Sequence, residues 1–169
     1  EQDPEALVRY VAMGAAAIVV PHISTVEEAR RMVEALDRAM AVAPRASLDR
    51  AAVTLIVIIE SAAGVENAQA ILAIDGVDAV IVGPSDLSAD LGSRGNYGSR
   101  AYADALARIE RAAMTTGKPL GTIPHGEYTL DTLLARGHRI LLTATDIALI
   151  SEALSAHLAL AHSSVQSMA

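Results

Sequence analysis

The feature that most constrains this chain is a regular alternation between short apolar runs, rich in β-branched residues, and longer segments of helical periodicity. Val53–Ile59 is the clearest run: Val-Thr-Leu-Ile-Val-Ile-Ile, with no charge on either face. A strand that is apolar on both sides must be covered on both sides, which is the condition of a parallel sheet flanked by helices. Four further runs have the same character, at Ala15–Val20, Val77–Val82, Leu120–Ile123 and Ile140–Thr143. Between them the periodicity predicts helices over Pro4–Met13, Thr25–Met40, Val65–Leu72, Arg100–Thr116, Tyr128–Ala135 and Asp146–Ser163. Ser24 or Thr25 is placed to cap the second of these, with Glu27 and Glu28 in its first turn. Ala41–Arg50 and Leu87–Tyr97 read as loops. Strand–helix alternation of this kind gives parallel β/α units, so the fold class is α/β. No repeat, linker or boundary divides the chain, which reads as a single domain over residues 1–169. A flavodoxin-like sheet also has five strands, but the first strand here ends in Pro21-His22 rather than in a glycine-rich turn.

Composition narrows the chemistry. Aromatic residues are 2% of the chain, all of them Tyr, so Ala, Val, Ile and Leu must fill the core. Cysteine is absent, which excludes disulfides and thiolate metal sites. Any metal would be held by oxygen or imidazole. The net charge of −7, without a basic run, argues against nucleic acid and anionic membrane surfaces as partners. The longest apolar runs are strand-sized, well short of the ~18 residues of a membrane span. With no signal peptide in view, a cytoplasmic location is expected.

In β/α folds the chemistry gathers where strands end. Those ends are Pro21-His22, Glu60-Ser61, Gly83-Pro84-Ser85-Asp86, Pro124-His125 and Thr143-Ala144-Thr145-Asp146. Glu60 follows an uncharged strand, so its carboxylate sits at the mouth of a dry core and needs a partner, a proton or a cation. Asp86 follows the next strand. Neighbouring strands run roughly 4.8 Å apart, which lets the two carboxylates share one hard cation. Spacing alone also allows Glu60 to cap a helix beginning near Ala63, and Asp86 to cap a turn at Leu87–Ala89. His22 and His125 can be ligands, proton carriers or plain loop residues. Ser85 has no histidine or lysine near it in sequence and does not read as a nucleophile. His138, His157 and His162 follow helices or lie on their surfaces, and no role is assigned to them.

Two segments carry a resemblance. Glu60-Ser-Ala-Ala-Gly-Val-Glu-Asn-Ala-Gln-Ala-Ile71 and Gly76-Val-Asp-Ala-Val-Ile-Val-Gly-Pro-Ser-Asp-Leu-Ser-Ala-Asp-Leu-Gly92 resemble the metal-site region of HpcH/HpaI aldolases. The first is also close to the citrate lyase beta-subunit branch. Gly14 to Pro21 with Thr25–Ala29 is similar to the family's strand four and the helix after it. Gly117–Gly121 is similar to strand seven, and Gly137–Asp146 to strand eight.

The resemblance implies a (β/α)8 TIM-barrel-type fold of which this chain holds about five units. It implies a divalent-metal-dependent carbon–carbon lyase acting on a small 2-oxo or hydroxy-oxo acid through a metal-stabilised enolate. Glu60 and Asp86 would bind Mg²⁺ or Mn²⁺, with Co²⁺ also accommodated. Gly83, Pro84, Ser85, Asp86 and Pro21 would contact substrate, the backbone of Ser85 and Asp86 holding its carboxylate. The family's catalytic histidine and arginine belong to earlier strands that this chain does not contain. Homo-oligomers are implied, hexamers built as trimers of dimers that exchange the last helix, here 146–163. Ile58 stands where the aldolase branch often has Gln. That keeps open an acyl-CoA lyase of the malyl- or citramalyl-CoA type, with Arg45 and Arg50 as candidates for the CoA phosphates. A catalytically inactive relative is the remaining alternative. In any of these, Ala15–Val20 is an open sheet edge that a partner chain or further residues should cover.

Overall fold

The structure is a computed structural model that describes residues 4–42 and 53–166. Its elements follow the expected alternation: α1 (Pro4–Ala12), β1 (Ala17–Val20), α2 (Val26–Val42), β2 (Thr54–Ile59), α3 (Ala62–Leu72), β3 (Ala79–Val82), α4 (Pro84–Asp90), α5 (Arg100–Thr116), β4 (Leu120–Thr122), α6 (Leu130–Ala135), β5 (Ile140–Leu141) and α7 (Asp146–Gln166). All strand pairs are parallel and the order is sequential, β1-β2-β3-β4-β5. A doubly wound sheet would reverse its order in the middle. This sheet does not reverse: it is a curled half-barrel, the partial TIM-barrel-type fold.

The two sheet faces are built differently. Leu55, Val57, Ile59, Val80, Val82 and Leu120 point outward and are buried under the helices, joining Val65, Ala68, Ile71 and Leu72 of α3 and Leu106 and Ile109 of α5 in one core. Removing such side chains from water is the main stabilising term. The concave face carries a smaller cluster, Ile56, Ala79 and Ile81, with Ile58 and Ile140 against it. Gly121 lies on this face because β5 crosses close by: a Cβ there would collide with the Ile140 carbonyl. Toward the C-terminal rim the concave face opens, and Val19, Ile123 and Leu142 are each over 40% exposed.

Several expected boundaries move. The strands are shorter, β1 starting at Ala17 and β3 at Ala79. Helix α3 begins earlier than Val65, because the Ser61 side chain caps Gly64 N–H. Helix α2 runs on through Val42. The rest of the expected Ala41–Arg50 loop, with Arg45 and Arg50, lies outside the described residues. The start of the expected loop Leu87–Tyr97 is helical instead: Pro84 at the first helical position, with its fixed φ, opens α4, and buried Leu87 and Ser88 hold it down. Among the described residues, no helix is long and apolar enough to cross a membrane.

Candidate active site

Glu60 owes its position to sheet register. Ile56, Ile58 and Glu60 alternate onto the concave face of β2, and Ala79, Ile81 and Gly83 do the same on β3. Because Ile58 pairs with Ile81, Glu60 comes to lie beside Gly83. A Cβ at Gly83 would strike the Glu60 Oε2 atom and crowd its Cβ and Cδ. Glycine here is a cradle for the carboxylate rather than a turn device. Glu60 is 8% exposed, and a carboxylate so enclosed needs donors or a cation around it. One oxygen, Oε1, accepts from the His22 backbone N–H at 2.8 Å and faces the His22 ring Nδ1 at 2.7 Å.

The surrounding loops are tied by short hydrogen bonds. Thr25 and Glu28 form a capping box at the start of α2: the Thr25 hydroxyl accepts from Glu28 N–H, and the Glu28 carboxylate accepts from the N–H groups of Thr25 and Ser24. These bonds, that from Ser24 foremost, hold the Glu28 carboxyl below the ordinary carboxylate range. Ser24 and Ser61 hydroxyls meet at 2.6 Å, and Asn67 Nδ2 donates to the Ser24 carbonyl at 2.9 Å. The Asp90 carboxylate, at the end of α4, accepts from Ala62 N–H at 2.7 Å. The β1–α2 loop, the start of α3 and the end of α4 are thus joined around Glu60. Ser61 and Asp90 take the capping roles at α3, and Glu60 turns away from them toward His22.

Asp86 sits in the first turn of α4, after Gly83 at the N-cap, which offers no side chain for capping. Asp86 and Ser85 are exposed and Pro84 is buried. Glu60, Gly83, Pro84, Ser85 and Asp86 share the wall of one cavity of about 430 Å³, closed on its other side by apolar residues including Val19, Ile58, Ile81 and Ile123. Pro21, half-buried one residue before His22, is not among the lining residues. The cavity opens at the C-terminal ends of the strands, where the sequence places the chemistry.

The other histidines divide. His125 is half-buried and tied at both ring nitrogens: Nδ1 is 2.6 Å from the Ile123 carbonyl and Nε2 is 2.6 Å from the Tyr102 hydroxyl. A carbonyl only accepts, so Nδ1 carries the proton and Nε2 accepts from Tyr102. The rings of Tyr97, Tyr102 and Tyr128 surround it at 4.7 to 5.5 Å. Burial pushes the His125 pKa down and the Tyr102 pKa up. His125 therefore locks the β4–α6 turn and is not among the residues lining the cavity.

His138 departs from its expected place after a helix surface: it is fully buried, with Nε2 3.1 Å from Glu110. Arg136 grips the same carboxylate at 2.7 and 2.8 Å. Burial works against ionised Glu110, but the bonds from His138 and Arg136 outweigh it and hold the carboxyl below its ordinary range. No spacing signal links Glu110 to the Arg136–His138 turn. Only the packing of α5 against the α6–β5 connection brings them together.

The donors that could hold a metal are all oxygens, Glu60 and Asp86. Among the described residues no group of three or more His, Asp or Glu side chains converges as a cation cage. Two carboxylates, one kept in a glycine-lined cradle, suit a hard cation that retains waters and takes substrate oxygens.

Comparison with known proteins gives a consistent picture. The family profile described as HpcH/HpaI aldolase/citrate lyase matches residues 1–153. The 4-hydroxy-4-methyl-2-oxoglutarate aldolase of Chaetomium globosum is 36% identical over 64% of this chain and 47% of its own length. A hydroxypyruvate/pyruvate aldolase of Delftia acidovorans is 32% identical over 86% of this chain and 61% of its own. A crystal structure of an HpcH/HpaI aldolase/citrate lyase family protein from Burkholderia cenocepacia superposes with a TM-score of 0.81 at 28% identity, covering 95% of this chain and 70% of that one. The chain thus spans about half to two thirds of the length of these curated relatives.

Proposed function

The chain belongs to the HpcH/HpaI aldolase/citrate lyase family, and we propose that it supplies the cation-binding half of a divalent-metal-dependent aldolase acting on a 2-oxo acid. The observation that carries this reading is the placement of Glu60 and Asp86 on the wall of one cavity at the strand ends, with Gly83 holding room for the Glu60 carboxylate. Glu60 and Asp86 would hold Mg²⁺ or Mn²⁺. A bound divalent cation supplies Lewis acidity, which stabilises negative charge developing on a substrate oxygen.

The chain's own groups divide the remaining work. The first N–H groups of α4, at Ser85 and Asp86, have no intrahelical partner and are placed to accept the substrate carboxylate. Ile58, Ile81 and Val19 keep water from the far wall and suit a short carbon skeleton. The relatives named for 4-hydroxy-4-methyl-2-oxoglutarate and for hydroxypyruvate or pyruvate support a small 2-oxo acid over an acyl-CoA. The exposed α7 and the open β1 edge support a homo-oligomer in which a second copy covers α7.

The test is release of pyruvate from a 4-hydroxy-2-oxo acid by the intact protein, followed through a lactate dehydrogenase couple. Turnover should vanish with EDTA and return with Mn²⁺. Turnover that resists chelation, or release only from a malyl-type CoA thioester, would contradict the proposal.

A further inference from the structure

His22 has a left-handed backbone, uncommon for any residue but glycine. Its φ is 59°, and it is the single non-glycine residue with positive φ among the described residues. Glycine adopts that conformation freely; among other residues it is uncommon, most frequent for asparagine, aspartate and histidine, and still costs energy that the surroundings must offset. The cause lies one residue earlier. The β1–β2 register ends at Val20 and Val57, and Pro21 has no N–H with which to continue the ladder. The ladder resumes at Ile23, whose N–H donates to the Ile58 carbonyl at 3.2 Å and whose side chain is fully buried. Between these fixed points the left-handed turn at His22 aims its backbone N–H at Glu60.

The ring follows the backbone. Both His22 donors, N–H and Nδ1, reach the same oxygen, Glu60 Oε1, at 2.8 and 2.7 Å. The opposite oxygen, Oε2, lies against Gly83, on the wall of the cavity. Two donors on one oxygen fix the rotation of a carboxylate as a single donor cannot. The ring itself is 70% exposed, so little of its surface is committed to packing.

We propose that His22 is a positioning residue: its strained backbone and its ring together clamp Glu60 Oε1, so that Oε2 is presented toward the cation position in the cavity. This rests on the reading of Glu60 as a metal ligand. Groups behind a ligand commonly alter metal affinity by about 10- to 100-fold.

Three substitutions separate the parts of the clamp. Asparagine carries Nδ2 at the same bonded position as the imidazole Nδ1, tolerates positive φ and has no titrating group. Glycine keeps the backbone donor, relieves the strain and removes the ring donor. Alanine removes the ring donor and keeps the strain. The experiment is calorimetric titration of the intact protein and its His22→Asn, His22→Gly, His22→Ala and Glu60→Gln variants with Mn²⁺, with the melting temperature of each measured without metal.

His22→Asn should bind within about threefold of the parent, and His22→Gly and His22→Ala about 10-fold more weakly. His22→Gly should weaken binding while melting no lower than the parent, a divergence that a purely structural role does not produce. If all three His22 variants bind as the parent does while Glu60→Gln has lost binding, the clamp is wrong and the metal reading stands. The clamp is also wrong if His22→Asn is as weak as His22→Gly. If Glu60→Gln binds Mn²⁺ as tightly as the parent, the metal reading falls and the clamp with it.

Discussion

At the scale of single residues, the site depends on small and specific features: the absent Cβ at Gly83, a left-handed backbone at His22 and a buried carboxyl group at Glu60. Glu60 stands out in the sequence as a carboxyl group directly beyond an uncharged strand, and it is buried; Asp86, three residues past Gly83 and exposed, stands out only through the Gly-Pro-Ser-Asp segment that carries the family resemblance. The role of Gly83 is not legible, since it depends on which residue of β2 faces it across the ladder. The same holds for His22, whose φ follows from how the β1–β2 ladder resumes after Pro21. For His125 the sequence leaves ligand, proton carrier and loop residue open, and packing decides: both ring nitrogens are taken by Ile123 and Tyr102.

That arrangement has a pH consequence. Burial, chiefly, lowers the folded-state pKa of His125 below its unfolded value of about 6.5. The unfolded chain then binds the proton more readily. The contribution of His125 to stability is therefore complete above the unfolded pKa and drains away as pH falls through about 6.5 toward the lowered folded value. Melting temperatures between about pH 7 and about pH 5 should fall more steeply for the parent than for His125→Gln. Parallel slopes would show that the His125 imidazole is not the group responsible.

At the scale of elements, the strongly periodic helices α2 and α5 and the β-branched strand β2 are readable from the sequence to within a residue or two. The short α4 is not, because Gly-Pro-Ser-Asp carries turn chemistry and only the burial of Leu87 and Ser88 against the core makes it a helix. Helix α7 is readable in position, but its environment is not. Ile147, Ile150, Leu154 and Leu158 recur along one side of it and are all more than half exposed. An apolar stripe of that length suits the interface that the proposed homo-oligomer requires. Sedimentation velocity of the protein should give an oligomer, and polar substitution of Ile150 and Leu154 should shift it toward monomer. A monodisperse parent monomer would overturn the assignment of α7 to a second copy.

At the scale of the whole molecule, sequential parallel order is what makes the site possible. Glu60 and Asp86 come from successive β/α units, and they share one rim only because β2 and β3 are neighbours running the same way. Strands apolar on both faces make a covered parallel sheet legible but fit a doubly wound sheet equally; the sequential order is what the family resemblance implies, and the sheet has it. The five-stranded sheet leaves its concave face partly open, so the cavity wall is shaped by Val19, Ile123 and Leu142 as much as by the carboxylates. The proposed cation at this rim rests on the carboxyl groups of Glu60 and Asp86. Titrating the protein, Glu60→Ala and Asp86→Ala with Mn²⁺ by calorimetry, with circular dichroism as a check on folding, tests it most directly. The parent should bind one Mn²⁺ per chain, and each variant should lose more affinity than the roughly 10- to 100-fold typical of groups behind a ligand, with an unchanged spectrum; two folded variants that bind Mn²⁺ as tightly as the parent would rule out Glu60 and Asp86 as ligands.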